Sequence, residues 1–297
     1  MVYLKDFLLP KDTWTDFYLS PTPFCPPDLP EDMPVASTMT CFQSWYPWKT
    51  FYNRSLRHIA FDDITIFYGG NGSGKTTLLN VIAQKLQLAR RTLYNRSTFF
   101  DDYVEICSYH LADKVAEEAI RRGYIITSDD VFQRMLQCRM ENEMIDRKRE
   151  MLVEQYYNTS FQNLSISHIL EAMGYKSCSK FVKSRLEKNK TEMSNGEAAF
   201  QYFVDSVSDG ALVLLDEPEN SLSAEWQNEF AMFLAGAIRE FCCQLVIATH
   251  SPFLLSLPGA KVYDLDAEPI QACEWYKLKN MRSYFELFER NRALFEE

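Results

Sequence analysis

Residues 69–76 read Gly69-Gly70-Asn71-Gly72-Ser73-Gly74-Lys75-Thr76. The Gly-x-x-x-x-Gly-Lys-Thr spacing is that of a phosphate-cradling loop. Its glycines let the backbone curl until the N–H groups converge on phosphate oxygens, and a helix starting at Lys75 adds favourable partial charge. Lys75 is placed to reach the β- and γ-phosphates and Thr76 to ligate Mg²⁺, so residues 69–76 with Thr77 form the expected nucleotide contact. The alternative is a plain glycine-rich turn. Chance yields the pattern in roughly one chain in a hundred of this length, which favours the ligand.

Two further stretches could do chemistry with that ligand. Residues 211–215 (ALVLL) are a continuous apolar run ending in Asp216-Glu217. Such a run suits a parallel strand buried on both faces. Asp216 at its tip can orient the Mg²⁺ shell opposite Thr76, and Glu217 can polarise an attacking water as general base. Without the glycine loop, the same acids would equally suit a solvated turn into Pro218. Residues 244–249 (QLVIAT) form a second apolar run, closed by His250. A lone histidine at a strand end is usually structural. Ser194-x-x-Glu197 before an apolar stretch reads as a capping box opening a helix.

The elements needed to position these groups are present in order. Residues 63–68 (DITIFY) predict a buried strand entering the loop, and the apolar spacing from Lys75 to about Leu88 predicts a helix leaving it. Residues 1–60 are rich in proline and aromatics and predict short edge strands and loops over a core. Residues 91–190 are polar and helical in pattern, with one strand candidate at 124–127 (YIIT). Helix caps follow at Ser128-Asp129-Asp130, then a long amphipathic helix over 131–157. After Asp209 the pattern alternates again: a helix over 224–240, a cap and N1 proline at Ser251-Pro252, a strand over 261–265 and a terminal helix from Asn280.

Composition bounds the rest. At 297 residues and 46% hydrophobic, the chain can bury a sizeable core. No apolar run approaches the roughly 18 residues of a membrane span, and the opening MVYLKDFLLPKDTW, with no basic stretch leading into an apolar one, does not read as a secretory signal. Eight cysteines without a C-x-x-C pair suggest free thiols in a reducing, cytoplasmic setting. A formal net charge of −10 opposes nonspecific nucleic-acid binding by the surface as a whole.

Taken together, these residues resemble the ABC-type ATPases, and within them the soluble, SMC-like group of AAA-family ATPases with an ABC-type head. The resemblance rests on residues 69–76, on DEPENSLS at 216–223 and on ATHSPFLL at 248–255, and spans about 63–266. Met193-Ser194-Asn195-Gly196-Glu197 resembles the family signature Leu-Ser-Gly-Gly-Gln, with Ser194 and Gly196 matching and Asn195 and Glu197 departing. It implies an α/β P-loop NTPase of ABC-ATPase type. One domain (1–297) would hold a central, mostly parallel sheet, an N-terminal antiparallel β part and the loop (1–90), a mainly helical lobe with the signature (91–208), and the Asp216/His250 half (209–297).

The resemblance also implies ATP and Mg²⁺ as ligands and His250 as a switch histidine contacting the γ-phosphate. It implies a head-to-tail homodimer formed on ATP binding, with Ser194 and Gly196 reaching the partner's nucleotide and 220–223 crossing the interface. Where the family has a glutamine after its next strand, this chain has Ser128 and Asp129, with Gln133 and Gln137 later. Phe51, Tyr52 and Phe67 are candidates for stacking on adenine, each equally suited to the core. The stretch 176–190 carries Lys176, Lys180, Lys183, Arg185, Lys188 and Lys190 against Glu187 alone. It is either a solvated helix face or a phosphate-contacting surface for a partner such as DNA. The expected activity is ATP hydrolysis gating a partner protein or DNA. A transporter's soluble ATPase subunit and a noncatalytic ATP sensor are the alternatives.

Overall fold

The computed structural model describes residues 1–10, 46–51, 54, 56–161 and 195–296. The basic stretch 176–190, Ser194 and Tyr52 lie outside the described residues.

Six strands form the central sheet. In spatial order they are Tyr124–Thr127 (β5), Leu212–Asp216 (β6), Gln244–Ala248 (β7), Ile64–Tyr68 (β3), Lys261–Asp264 (β8) and Ala272–Cys273 (β9). All neighbours are parallel except β8 and β9. β3, β6 and β7 are buried at every position, which explains why they read as unbroken apolar runs. Alternate side chains feed two cores. Phe67, Leu212, Leu214, Val246 and Ala248 pack on one face, under the helix Lys75–Lys85. Ile64, Ile66, Val213, Leu215, Leu245 and Ile247 pack on the other, under the helices Asn195–Ser206 and Ala224–Glu240.

The antiparallel part is a three-stranded sheet, Leu4–Leu8 (β1) between His58–Ala60 (β2) and Ser108–Leu111 (β4). The sequence pattern predicts only helix where β4 stands. Its residues, Ser-Tyr-His-Leu, carry no period-2 apolar pattern and none is buried, so partner pairing rather than composition makes it a strand. Buried side chains tie the two sheets together: the Tyr263 hydroxyl on β8 accepts from Ala60 N (3.1 Å) and donates to Ala60 O (3.0 Å), and Gln244 spans them from β7. Gln244 accepts from Tyr3 N (2.9 Å) and Leu4 N (2.8 Å) through Oε1, and donates to Leu4 O (2.9 Å) and Asp62 O (3.1 Å) through Nε2. This amide satisfies edge groups of both sheets that burial would otherwise orphan.

A 34-residue helix, Ser128–Phe161, leaves β5. The expected cap is one residue out of register: Thr127 is the N-cap, its Oγ1 accepting from Asp130 N (3.4 Å) while Asp130 Oδ2 accepts from Thr127 N (2.7 Å). That reciprocal pair is a capping box. Other boundaries differ by a residue or so at strand ends; the loop helix ends at Lys85 rather than near Leu88 because Gln87 adopts φ 54°. Among the described residues no helix is long and apolar enough to cross a membrane. The five described cysteines are free, and burial pushes the Cys107 thiol up to about 12 and Cys243 to about 11.

Candidate nucleotide site

The C-terminal ends of β3, β7 and β6 lie side by side, the edge where open α/β sheets hold ligands. β3 runs into the glycine loop and then into the helix Lys75–Lys85. Gly74 sits at φ 99°, and a Cβ there would come within 2.6 Å of Thr50 Cγ2; at Gly69 it would come within 2.5 Å of Ser73 Oγ. Both positions therefore need glycine for the loop to close. The loop is braced from outside by Arg54, whose Nη1 donates to Ser73 O (2.8 Å) and Leu265 O (2.9 Å). Asp266 Oδ2 accepts from Gly70 N at 2.6 Å. Neither residue carried a sequence signal, since a lone arginine and a strand-end acid fit any loop.

Lys75 is 4% exposed, and its ammonium points back over the loop. Nζ donates to Gly69 O (2.7 Å) and Gly70 O (3.2 Å) and lies 3.2 Å from Glu217 Oε1. Thr76 Oγ1 donates to Asp216 Oδ1 at 3.0 Å. The two groups the sequence assigned to Mg²⁺ thus meet across 140 residues of chain. Asp216 is buried, which pushes its carboxyl up to about 7; the Thr76 hydroxyl opposes that shift and the charge of Glu217 adds to it. The Lys75 charge offsets only part of that burial. Thr76 and Asp216 offer the hard oxygen donors that a divalent cation such as Mg²⁺ would take. Among the described residues no cluster of three His, Cys, Asp or Glu groups stands ready to hold a metal ion.

Glu217 sits in the left-handed region (φ 47°, ψ 52°), rare for a residue with a side chain. Its carboxylate is held at both oxygens, by Lys75 and by Asn220 Nδ2, which donates to Oε2 at 3.0 Å. The turn Pro218–Ser221 follows, and Glu219 on it contacts His250 at the end of β7. Ser251 caps the short helix Pro252–Leu255 as the sequence predicts.

Asn71 and Gly72 form the exposed crest of the loop, and Thr77 lies on the first helical turn. Phe51 and Phe67 are buried at 3% and 0%, so both belong to the core rather than to an adenine contact. Gln133 is exposed on the helix Ser128–Phe161, and neither it nor Gln137 lies at the tip of β5, where Thr127 and Asp130 stand. Gly196 opens the helix Asn195–Ser206, and a Cβ there would come within 2.8 Å of Trp226 Cδ1. Close packing on the Trp226 indole thus accounts for that glycine without reference to a ligand.

Residues 183–256 match the family AAA_21, described as an AAA domain, putative AbiEii toxin, type IV toxin–antitoxin system. No curated protein matches the chain. Among solved structures, the ATP-binding cassette MJ0796 in a dimeric, post-hydrolysis state with ADP and phosphate is 16% identical, over 73% of this chain and 90% of that one, with a TM-score of 0.34. The Smc head domain of Pyrococcus furiosus, bound to the C-terminal domain of ScpA, is 12% identical over 79% and 95%, with a TM-score of 0.38. An SmcHead bound to the C-winged helix domain of ScpA is 15% identical over 76% and 94%, with a TM-score of 0.38. The strand order is that of a mixed α/β fold with a mostly parallel sheet, in which the glycine loop follows β3.

Proposed function

We propose that this chain binds MgATP at residues 69–77 and hydrolyses it, and that hydrolysis gates a partner protein or DNA. The observation that carries the reading is the meeting of Lys75, Thr76, Asp216 and Glu217 within 3.2 Å contacts at the ends of β3 and β6, either side of β7. Lys75 now shares its charge between two loop carbonyls and Glu217. On binding, phosphate oxygens replace these partners with stronger charge-assisted bonds. Loss of the Lys75 contact frees Glu217 Oε1 to accept a proton from water, while Asn220 holds the other oxygen. Mg²⁺ at Thr76 and Asp216 supplies the positive charge that offsets the triphosphate. His250, its side chain 46% exposed, is positioned to donate to the γ-phosphate.

The signature residues Ser194 and Gly196 complete this site from a second copy, so the ATP-bound form is a head-to-tail homodimer. A helix N-terminus at Asn195 supports that role, since such an end receives phosphate. The basic residues of 176–190, next to the signature in sequence, are the proposed phosphate-contacting surface for a nucleic-acid partner. No membrane-spanning partner is required by any of these features, and the cytoplasm supplies the ATP. Glu217→Gln keeps the shape of the side chain and removes the base. In light scattering with MgATP it should form a dimer that persists, while wild type with ADP remains monomeric. A mutant that binds ATP tightly and stays monomeric at micromolar concentration would rule out the sandwich.

A further inference from the structure

We infer that Glu219 is the residue that positions His250, holding the imidazole by Nδ1 so that Nε2 faces the nucleotide. This inference rests on the ATPase reading for its purpose, although the pair itself is a feature of the fold.

Glu219 Oε1 accepts from the His250 backbone N at 2.8 Å and lies 3.2 Å from His250 Nδ1. One carboxylate oxygen thus bonds the main chain of a single residue and stands beside its ring. The two partners differ sharply in burial, with the Glu219 side chain 4% exposed and the His250 side chain 46%. The acid is embedded and the ring projects from it. Glu219 Oε2 is buried with no hydrogen-bond partner among the described residues. A buried carboxylate with one oxygen unmatched is costly unless its other oxygen meets a strong donor. An Nδ1–H, on a neutral or a cationic ring, is that donor.

The backbone on either side of the ring is equally constrained. Thr249 is fully buried, its Oγ1 accepting from Ser251 N (3.0 Å), and Ser251 Oγ donates to Gln227 Oε1 (2.7 Å). The imidazole is the group left with freedom to turn, and Glu219 removes that freedom. With Nδ1 committed, Nε2 is the ring nitrogen that can reach a ligand. A ring that carries a second proton there can donate it to a phosphate oxygen. The arrangement explains why a third acid follows Asp216 and Glu217 so closely. Asp216 faces Thr76, Glu217 faces Lys75, and Glu219 faces away from both, toward β7.

Two measurements test the pair. In nitrogen-15-labelled protein without nucleotide, the ring signals of His250 are those lost in His250→Gln. Nδ1 should carry a proton, whether or not Nε2 also does; a bare Nδ1 overturns the inference. This arm needs no hydrolysis, so an inactive wild type would sink the ATPase reading while leaving the pair to be judged by its spectrum. The kinetic arm compares Glu219→Gln alone and in the His250→Gln background. Alone it should lower kcat by about tenfold with KM for ATP within about twofold, and in the second background it should cost less than about twofold. An equal loss in both backgrounds would mean that Glu219 serves the fold rather than His250, and would overturn the proposal.

Discussion

Thr127 and Asp216 are paired in register at the ends of the adjacent parallel strands β5 and β6, yet the chain leaves them in opposite ways. At the tip of β5, polar groups close on one another locally. Asp130 accepts from both the backbone and hydroxyl of Thr127, three residues away, and Thr92 Oγ1 adds a 3.1 Å contact to the Thr127 hydroxyl. At the tip of β6 nearly every acid closes on a distant element: Asp216 on Thr76, Glu217 on Lys75, Glu219 on His250. Local closure commits the polar groups to starting a helix. Long-range closure holds them on separate elements, where an incoming phosphate or cation can exchange for a partner without unwinding anything. One strand end builds structure; its neighbour holds the groups of the proposed site.

The largest way to break the contrast is at Lys75. Lys75→Ala removes a charge-assisted contact to phosphate and leaves Glu217 facing the loop unopposed. MgATP affinity should fall about 100-fold or more by calorimetry on folded protein, equivalent to roughly 3 kcal/mol. Unchanged affinity would remove the nucleotide from this loop.

Asp216 sharpens the contrast through pH. Its carboxyl is raised from 3.8 to about 7 by burial, so the folded state favours the protonated form. The favourable contribution is fully present below about pH 3.8 and is lost as pH rises to about 7, so nucleotide-free protein should lose stability across that window. Asp216→Asn should be more stable than wild type at pH 7.5, by at most about 4 kcal/mol, and should lack this component of the pH dependence. Thermal melts of both proteins between pH 5 and 8, roughly the range where native folds persist, would show it. The same variant should lose Mg²⁺-dependent hydrolysis. Curves for the two proteins that run parallel would contradict the burial that raises Asp216.

At the other strand end the effect should be on folding alone. Asp130→Ala removes the return half of the capping box and should cost about 2 kcal/mol in urea unfolding, with MgATP affinity within about twofold of wild type. A large loss of nucleotide affinity would place the β5 tip in the site after all. The smallest effect is expected at Gly196, where an added Cβ would press on Trp226. Gly196→Ala should cost about 1 kcal/mol through overpacking, and Trp226→Phe should relieve part of it. If hydrolysis falls far more than stability, the glycine serves the partner's phosphate as well as the packing.

The core strands were legible in the sequence because β3, β6 and β7 are buried on both faces, and burial on both faces leaves an unmistakable apolar run. The loop was legible because glycines with a following Lys-Thr have few other uses. β4 was not, since an exposed edge strand takes its shape from β1 and not from its own residues. The register of the helix cap at Thr127 was also missed, because Ser128, Asp129 and Asp130 all suit a cap and only the direction of the chain out of β5 decides among them.

By itself the sequence determined the kinds of group available: a glycine loop with Lys75 and Thr76, acids at a strand end, a histidine at another. Those choices are chemical and short-range, written within a few residues each. The tertiary structure decided which of them meet. β7 lies between β3 and β6, so Thr76 and Asp216 approach across two strand spacings while His250 falls beside them. It also decided that Glu219, of the same residue type as Glu217 and two positions on, turns toward β7 instead of the loop. No spacing rule distinguishes those two glutamates; the left-handed turn at Glu217 and the 3-10 turn after it send their side chains to different neighbours.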